Sequence, residues 1–266
     1  MTEILEPENC FCQLASGSKG NALYVKGGET AVLFDCGLSG RELERRMAER
    51  DLDPTTLSAV VVSHEHTDHV GGAGVICRRF GIPLYITEAT RTGSTKKLGK
   101  TKAMDIQAME CGKRFSVGSL EIHPFSISHD AADTSGFRVT ASSGAVLGIA
   151  TDLGIAGHLV KEHLSGCHAL VLESNHDPEL LYANPNYPWP LKQRVRSRVG
   201  HLSNEEAATL LDAIDRSRLS HLVLAHLSEE NNTPDLALAA AYGVLNGSNT
   251  SITVAKQNLP TPVLSF

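Results

Sequence analysis

No apolar run in the chain approaches the roughly 20 residues that a membrane-spanning helix needs. The N-terminus, Met1 to Pro7, is acidic and lacks both a basic segment and an apolar one, so it does not read as a signal peptide. The six cysteines, Cys10, Cys12, Cys36, Cys77, Cys111 and Cys167, form no CxxC pair and lie mostly in apolar segments. They read as buried cytosolic thiols, not a disulfide framework, which makes the cytoplasm the expected compartment. For Cys10 and Cys12, at alternate positions of an opening strand, packing is expected over a metal or redox site. Positive charge is not in excess either: the net charge is −6 with histidines neutral, which argues against bulk electrostatic coating of nucleic acid. There is no short-period repeat, low-complexity tract or linker. No base-reading motif is visible, which argues against a sequence-specific nuclease.

What is present is an ordinary globular composition, 266 residues with 41% hydrophobic and 20% charged. That suits one large α/β domain spanning residues 1–266. Strands separated by glycine turns are expected at residues 11–15, 22–25 and 31–34. Ser39 reads as the N-cap of a helix to about residue 49, and residues 58–63 as a buried strand. A helix through residue 79 and a strand at 83–86 follow. The middle, residues 114–152, is strand-rich, with turns at Gly118-Ser119 and Ser142-Ser143-Gly144. Further strands are expected at 169–172 and 221–224, and a final one at 251–255. Ser203-Asn204-Glu205-Glu206 opens one late helix with a capping box, and Thr233-Pro234 opens another with proline at its first position. Strands in both halves with interspersed helices imply two sheets packed face to face, helices outside.

The most informative stretch is Ser63-His64-Glu65-His66-Thr67-Asp68-His69, directly after Ala59-Val60-Val61-Val62. Imidazoles and a carboxylate crowded at a strand end are ligands for zinc, and suit manganese or iron nearly as well. In an extended segment or tight loop His64 and His66 point the same way, while Asp68 and His69 lie past the turn and approach from another side, so one ion could take the first pair and a second the later pair. The β-branched valines favour a strand over a helix here. The bland alternative, a polar surface loop, leaves the mutual repulsion of these groups uncompensated. Three more ligand-type residues end apolar runs: His129 after residues 122–128, Asp152 after 148–151 and His226 after 222–225.

The order HxHxDH, then His, Asp and His, resembles the metallo-β-lactamase-fold hydrolase superfamily over nearly the whole chain. The resemblance implies an αββα sandwich of two mixed β-sheets with its site along one sheet edge. It also implies that His64, His66 and His129 hold one divalent ion, Asp68, His69 and His226 a second, and that Asp152 bridges them. Asp35, in Leu33-Phe34-Asp35-Cys36-Gly37, would orient ligands from behind. The segments Ser16-Gly17-Ser18-Lys19-Gly20-Asn21, Ser128-His129-Asp130-Ala131-Ala132, Glu173-Ser174-Asn175-His176-Asp177, Tyr187-Pro188-Trp189-Pro190-Leu191-Lys192 and Gly200-His201-Leu202-Ser203-Asn204 resemble the narrower YycJ/WalJ group. Those bacterial proteins are regarded as DNA-directed exonucleases or phosphodiesterases, which implies nucleic acid as substrate and Zn²⁺ or Mn²⁺ as cofactor.

His201, just before a helix start, is similar to the residue by which ribonuclease Z relatives touch the scissile phosphate, and a helix N-terminus favours an anion. The alternative is that Ser203 only caps and His201 only packs. His176 follows a strand end and could reach the substrate. Lys192, with Arg194, Arg196 and Arg198, is either a contact to the DNA backbone or the solvated face of a helix whose apolar stripe is Leu191, Val195 and Val199. Lys96 to Lys102 reads as a mobile loop. His123, His158, His163, His168 and His221 read as ordinary surface or core positions.

The expected chemistry is metal-assisted phosphodiester hydrolysis by water activated between two ions. Asp68 would hold that nucleophile and His201 donate to the phosphoryl or leaving oxygen. Hydrolysis of a thioester or lactone is the rival within enzymology and calls for an apolar acyl pocket. A non-catalytic, metal-stabilised nucleic-acid-binding protein is the rival outside it. No membrane or protein partner is expected.

Overall fold

Successive residues of the long strands bury into different layers, and that alternation sets the architecture. The computed structural model describes residues 8–266, so the reading of Met1 to Pro7 lies outside the described residues. The strands run as β1 (Asn9–Ala15), β2 (Ala22–Gly27), β3 (Thr30–Phe34), β4 (Leu57–Val61), β5 (Leu84–Ile86), β6 (Ile106–Ala108) and β7 (Phe115–Val117). They continue as β8 (Leu120–Ser126), β9 (Ser135–Ala141), β10 (Val146–Ala150), β11 (Ala169–Glu173), β12 (His221–Ala225), β13 (Ser251–Val254) and β14 (Leu264–Ser265). The helices are α1 (Gly40–Ala48), α2 (Thr67–Val70), α3 (Ala73–Phe80), α4 (Glu88–Leu98) and α5 (His158–Leu164). After them come α6 (Pro178–Ala183), α7 (Trp189–Val195), α8 (Asn204–Asp212) and α9 (Pro234–Leu245). One sheet has the order β14-β1-β2-β3-β4-β5-β6 and the other β13-β12-β11-β10-β9-β8-β7.

Val32, Phe34, Ala59 and Val61 from the first sheet meet Ala169, Val171, Val223 and Ala225 from the second in the central layer. Their neighbours Leu33, Val60 and Val62 turn the other way, under Leu43 and Met47 of α1 and Ile76 of α3. Likewise Leu170, Leu172, Leu222 and Leu224 turn outward to Val160 of α5, Leu210 of α8 and Ala241 of α9. A strand covered on both faces reads as an unbroken apolar run, which is why these segments stand out in the sequence. The result is the expected αββα sandwich of two mixed sheets. Strands β3 to β6 are mutually parallel, as are β10 to β13. No helix among the described residues is long and apolar enough to cross a membrane.

The N-caps at Ser39, Ser203 and Thr233 are as expected. Five local readings change. Asp68 and His69, expected past a turn with no helix in the cluster, sit on the single helical turn α2, which is too short to announce itself by periodicity. The segment read as a mobile loop begins as helix: Thr87 caps α4, which runs through Gly93, Lys96 and Lys97 and ends at Leu98, leaving residues 99–102 outside it. A Cβ at Gly93 would come within 2.8 Å of Glu65 Cγ, and the two lysines lie near the helix C-terminus, where the dipole favours them. The Leu191, Val195 and Val199 stripe is no single buried face, because α7 stops at Val195 and Val199 is exposed. Residues 251–254 are not the last strand; β14 follows and pairs with β1. All six cysteines are free, five of them buried, while Cys111 is half-buried.

The backbone that follows β3 packs tightly against Asn21 and α2. Gly37 N–H donates to Asn21 O at 2.9 Å, and Cys36 N–H to His69 O at 2.7 Å. A Cβ on Gly37 would lie 1.7 Å from the Asp68 carbonyl oxygen. Gly37→Ala is therefore expected to cost about 3 kcal/mol or more, read as a lower denaturation midpoint. Wild-type stability would show that this approach is not fixed.

Candidate metal centre

Parallel strands of both sheets end at one edge, and their terminal residues converge there. Strand β4 delivers His64 and His66, β10 delivers Asp152, β11 ends in Glu173 and β12 is followed by His226. Helix α2 adds Asp68 and His69, and the segment after β8 adds His129. Three ligand-type atoms of His64, His66 and His129 lie within 4.8 Å of one another, as do those of Asp68, His69 and His226. Asp152 stands between the triads: its Oδ2 is 3.1 Å from His69 Nε2, and its Oδ1 is 3.5 Å from His226 Nε2 and 3.9 Å from His129 Nε2. The structure thus brings together all seven residues expected as ligands.

The rings are held from behind, and this sets which nitrogen faces inward. His69 Nδ1–H donates to Asp35 Oδ2 at 2.8 Å, and Asp35 also accepts from Ser63 N–H and Ser63 Oγ–H, each at 2.8 Å. His64 Nδ1 meets Ser63 Oγ at 3.0 Å, His129 Nδ1 meets Gly200 O at 3.1 Å, and His226 Nδ1 meets Glu173 Oε1 at 3.1 Å. In all four rings Nε2 is the nitrogen turned inward. His64 Nε2 and His226 Nε2 are buried with no hydrogen-bond partner among the described residues. Buried acceptors without donors are costly unless a cation takes them, and imidazole with carboxylate suits a divalent ion. Electrostatics agree. Burial disfavours a charged His226, yet Asp152, Asp68 and Glu173 raise its pKa to about 10, so the site draws in positive charge. Burial and the nearby His69 push the His64 pKa down, leaving that ring neutral and able to ligate.

Glu173 is not among the residues expected from the sequence to carry the site, although it ends a buried apolar strand as His226 and Asp152 do. It is fully buried and accepts from Asp152 N–H at 3.1 Å, Leu153 N–H at 3.2 Å and Leu202 N–H at 2.9 Å. His201 Nδ1–H adds a fourth bond at 2.9 Å, beside the one from His226. Burial would raise its pKa, but the two imidazoles hold it at about 2. The same carboxylate outweighs the effect of burial on His201 and raises that pKa. Asn21 is a second addition: its amide is fixed by Gly17 and lies 3.3 Å from Asp68 Oδ2.

A cavity of about 210 Å³ opens over this edge, lined by His66, Asp68, His129, Asp152, His201 and His226, with Arg194, Leu191 and Val195 on the far wall. His201 thus lines the cavity. Ser203, His176 and Lys192 are not on this wall. Ser203 Oγ is spent on Glu206 N–H in the capping box. His176 is 1% exposed, with its backbone bridged to Ser203. Lys192 lies on the opposite side of α7, where its Nζ donates to Tyr182 O at 2.5 Å. Of the four basic residues read together, Arg194 is the one on the cavity wall, where it pairs with Asp130.

Three of the four non-glycine residues with positive φ among those described lie here: Asp35 at 58°, Asp152 at 60° and His226 at 55°. Each follows a strand end, and the left-handed backbone turns the chain sharply enough to aim its side chain along the edge.

A histidine- and aspartate-rich edge on a two-sheet αββα sandwich defines a metallo-β-lactamase-fold hydrolase. A model of the beta-lactamase superfamily domain matches residues 30–227, and the chain belongs to that family. It is a metal-dependent hydrolytic enzyme. It is 37% identical over 235 residues to exodeoxyribonuclease YycJ of Bacillus anthracis, covering 88% of each chain. It is 36% identical over 226 residues to exodeoxyribonuclease WalJ of Streptococcus pneumoniae serotype 2, covering 84% of this chain and 83% of that one. In fold it is similar to the metallo-beta-lactamase fold protein YhfI of Bacillus subtilis, with a TM-score of 0.70 at 16% identity over 95% of this chain and 99% of that one.

His176, set aside as a wall residue, has a separate consequence for stability. Burial lowers its pKa to about 4 against the pull of Glu173, whereas an unfolded histidine titrates near about 6.5. Between those values the unfolded chain binds the extra proton, so this residue's contribution falls as pH falls. The stability difference between wild type and His176→Gln should shrink from pH about 7.5 to pH about 4.5 in urea titrations. A difference independent of pH would mean that the ring does not stay neutral.

Proposed function

We propose that the chain is a dinuclear-metal phosphodiesterase acting on nucleic acid, with end-directed cleavage of DNA as its reaction. The observation that carries this reading is the meeting of two ligand triads at Asp152 beneath a cavity walled by His201 and Arg194. In this reading His64, His66 and His129 hold one ion, Asp68, His69 and His226 the other, and Asp152 spans both, with Mn²⁺ or Zn²⁺ as the metal. Bound divalent ions supply charge stabilisation to a phosphoryl oxygen and lower the pKa of water.

The chain's own groups do the rest. Asp68, with its side chain 22% exposed and facing the cavity, accepts a hydrogen bond from the attacking water and aligns it. Glu173 fixes His201 Nδ1–H, which turns the Nε2 side of the ring to the substrate, where it donates to a phosphoryl or leaving oxygen. Arg194 exchanges its Asp130 partner for a substrate phosphate. The exodeoxyribonuclease names of relatives at 36% and 37% identity support DNA as the substrate. A thioester or lactone hydrolase would need an apolar acyl pocket, and the apolar side chains on this wall are Leu191 and Val195.

Metal-stripped protein given Mn²⁺ or Zn²⁺ should remove nucleotides progressively from an end of labelled duplex DNA. Asp68→Ala should lower that rate by about 100-fold or more while remaining folded. Undiminished cleavage by the variant would overturn the assignment of Asp68, and no cleavage with either ion would overturn the nuclease reading. Elemental analysis should find a pair of divalent ions per wild-type chain and a single ion in His66→Ala. One ion in both proteins would defeat the dinuclear assignment.

A further inference from the structure

Helix α7 presents two faces to two different cavities. Leu191, Arg194 and Val195 line the metal cavity, while Trp189, Lys192, Gln193 and Arg196, spaced along one helical face, line a separate groove of about 400 Å³ against Leu181 and Tyr182. The chain has a single tryptophan. It is Trp189, which does not pack in the core but stands 55% exposed beside Tyr182, itself 66% exposed. Their ring centroids are 6.3 Å apart with planes at 90°. Lys192 Nζ lies 5.9 Å from the centre of the Tyr182 ring, Arg196 is exposed, and no carboxylate lines the groove. Large aromatic faces held in water cost free energy unless something covers them.

We propose that this groove is a stacking subsite for unpaired bases of a nucleic-acid strand whose scissile phosphate lies at the metal centre; it rests on the phosphodiesterase reading above. Bases of any identity stack on aromatic rings, and neighbouring cations take the phosphates between them. A protein with net charge −6 that sets two cations and two exposed rings in one carboxylate-free groove is matched locally to that ligand. The path between the sites crosses one helix, about 10 to 12 Å wide, or about three nucleotides at the spacing of a stacked strand. A dinucleotide is too short to occupy both sites.

Trp189 is its own reporter. Octathymidylate with phosphorothioate linkages, added to the metal-loaded full chain, should quench the tryptophan emission saturably, and a thymidine dinucleotide should not. Tyr182→Ala and Lys192→Ala, in which Trp189 remains, should each raise the concentration for half-quenching about fivefold or more. On unmodified octathymidylate, Tyr182→Ala should raise KM at constant kcat. Binding seen by anisotropy without a change in emission, together with wild-type KM in Tyr182→Ala, would overturn the subsite and leave the nuclease reading standing. Emission that shifts with protein concentration alone would assign the groove to a second copy of the chain and equally overturn it. Failure to bind or cleave any oligonucleotide would remove the nucleic-acid reading, and the subsite with it.

Discussion

Asp35 and Glu173 determine which way the inner histidines face. An imidazole can turn either nitrogen inward, and the acceptor behind it decides which. Asp35, after β3 of the first sheet, takes the Nδ1 proton of His69 and aligns Ser63, which in turn holds His64. Glu173, ending β11 of the second sheet, takes the Nδ1 protons of His226 and His201 and ties three backbone N–H groups to the same carboxylate. Each sheet therefore carries its own buried anchor, and the space between the anchors is where the inward nitrogens meet. Losing either carboxylate would strand several buried donors at once, at about 1 to 3 kcal/mol each, and would free the rings to rotate.

The sandwich explains why those anchors face each other. Parallel strands present their carboxyl ends together, and in open sheets that end is where ligands gather. Here two sheets do so along a common edge, with apolar layers on both sides of each strand keeping water from the backs of the ligands. The segment between β11 and β12 then adds α6, α7 and the turn bearing Gly200 and His201. One insertion supplies an acceptor for His129, a donor aimed at the cavity and the helix that partitions the surface beside it.

Much of this was legible before any coordinates. The double-sided strands showed as continuous apolar runs, the capping residues Ser39, Ser203 and Thr233 marked helix starts, and the seven ligand-type residues followed the ends of apolar runs. What stayed hidden was of two kinds. Elements too short for a period, such as α2 and the two-residue β14, exist because of backbone bonds to distant segments, not because of a local pattern. Roles set by long-range packing were also invisible: Glu173 looks like any glutamate until its partners 28 and 53 residues away are seen. Lys192 and Arg194 are two positions apart on a short helix, and only its docking shows which of them faces the cavity. The fully buried His176 shows the same limit, since a polar residue beyond a strand end gives no sign that it turns inward.

Three ligand-edge residues, Asp35, Asp152 and His226, hold a left-handed backbone that an unconstrained chain would leave, at a cost of about 1 to 3 kcal/mol apiece. Glycine would relax each position and erase its side chain, so at these places an easy backbone and a working functional group exclude one another. Asp35 is compensated by its bonds to Ser63 and His69; in the dinuclear reading proposed above, Asp152 and His226 are compensated by the ions, which would make the occupancy of the centre and the shape of its rim a single equilibrium. An emptied centre would accordingly be recognised less by any one missing contact than by simultaneous loosening at two points remote in sequence, the ends of β10 and β12.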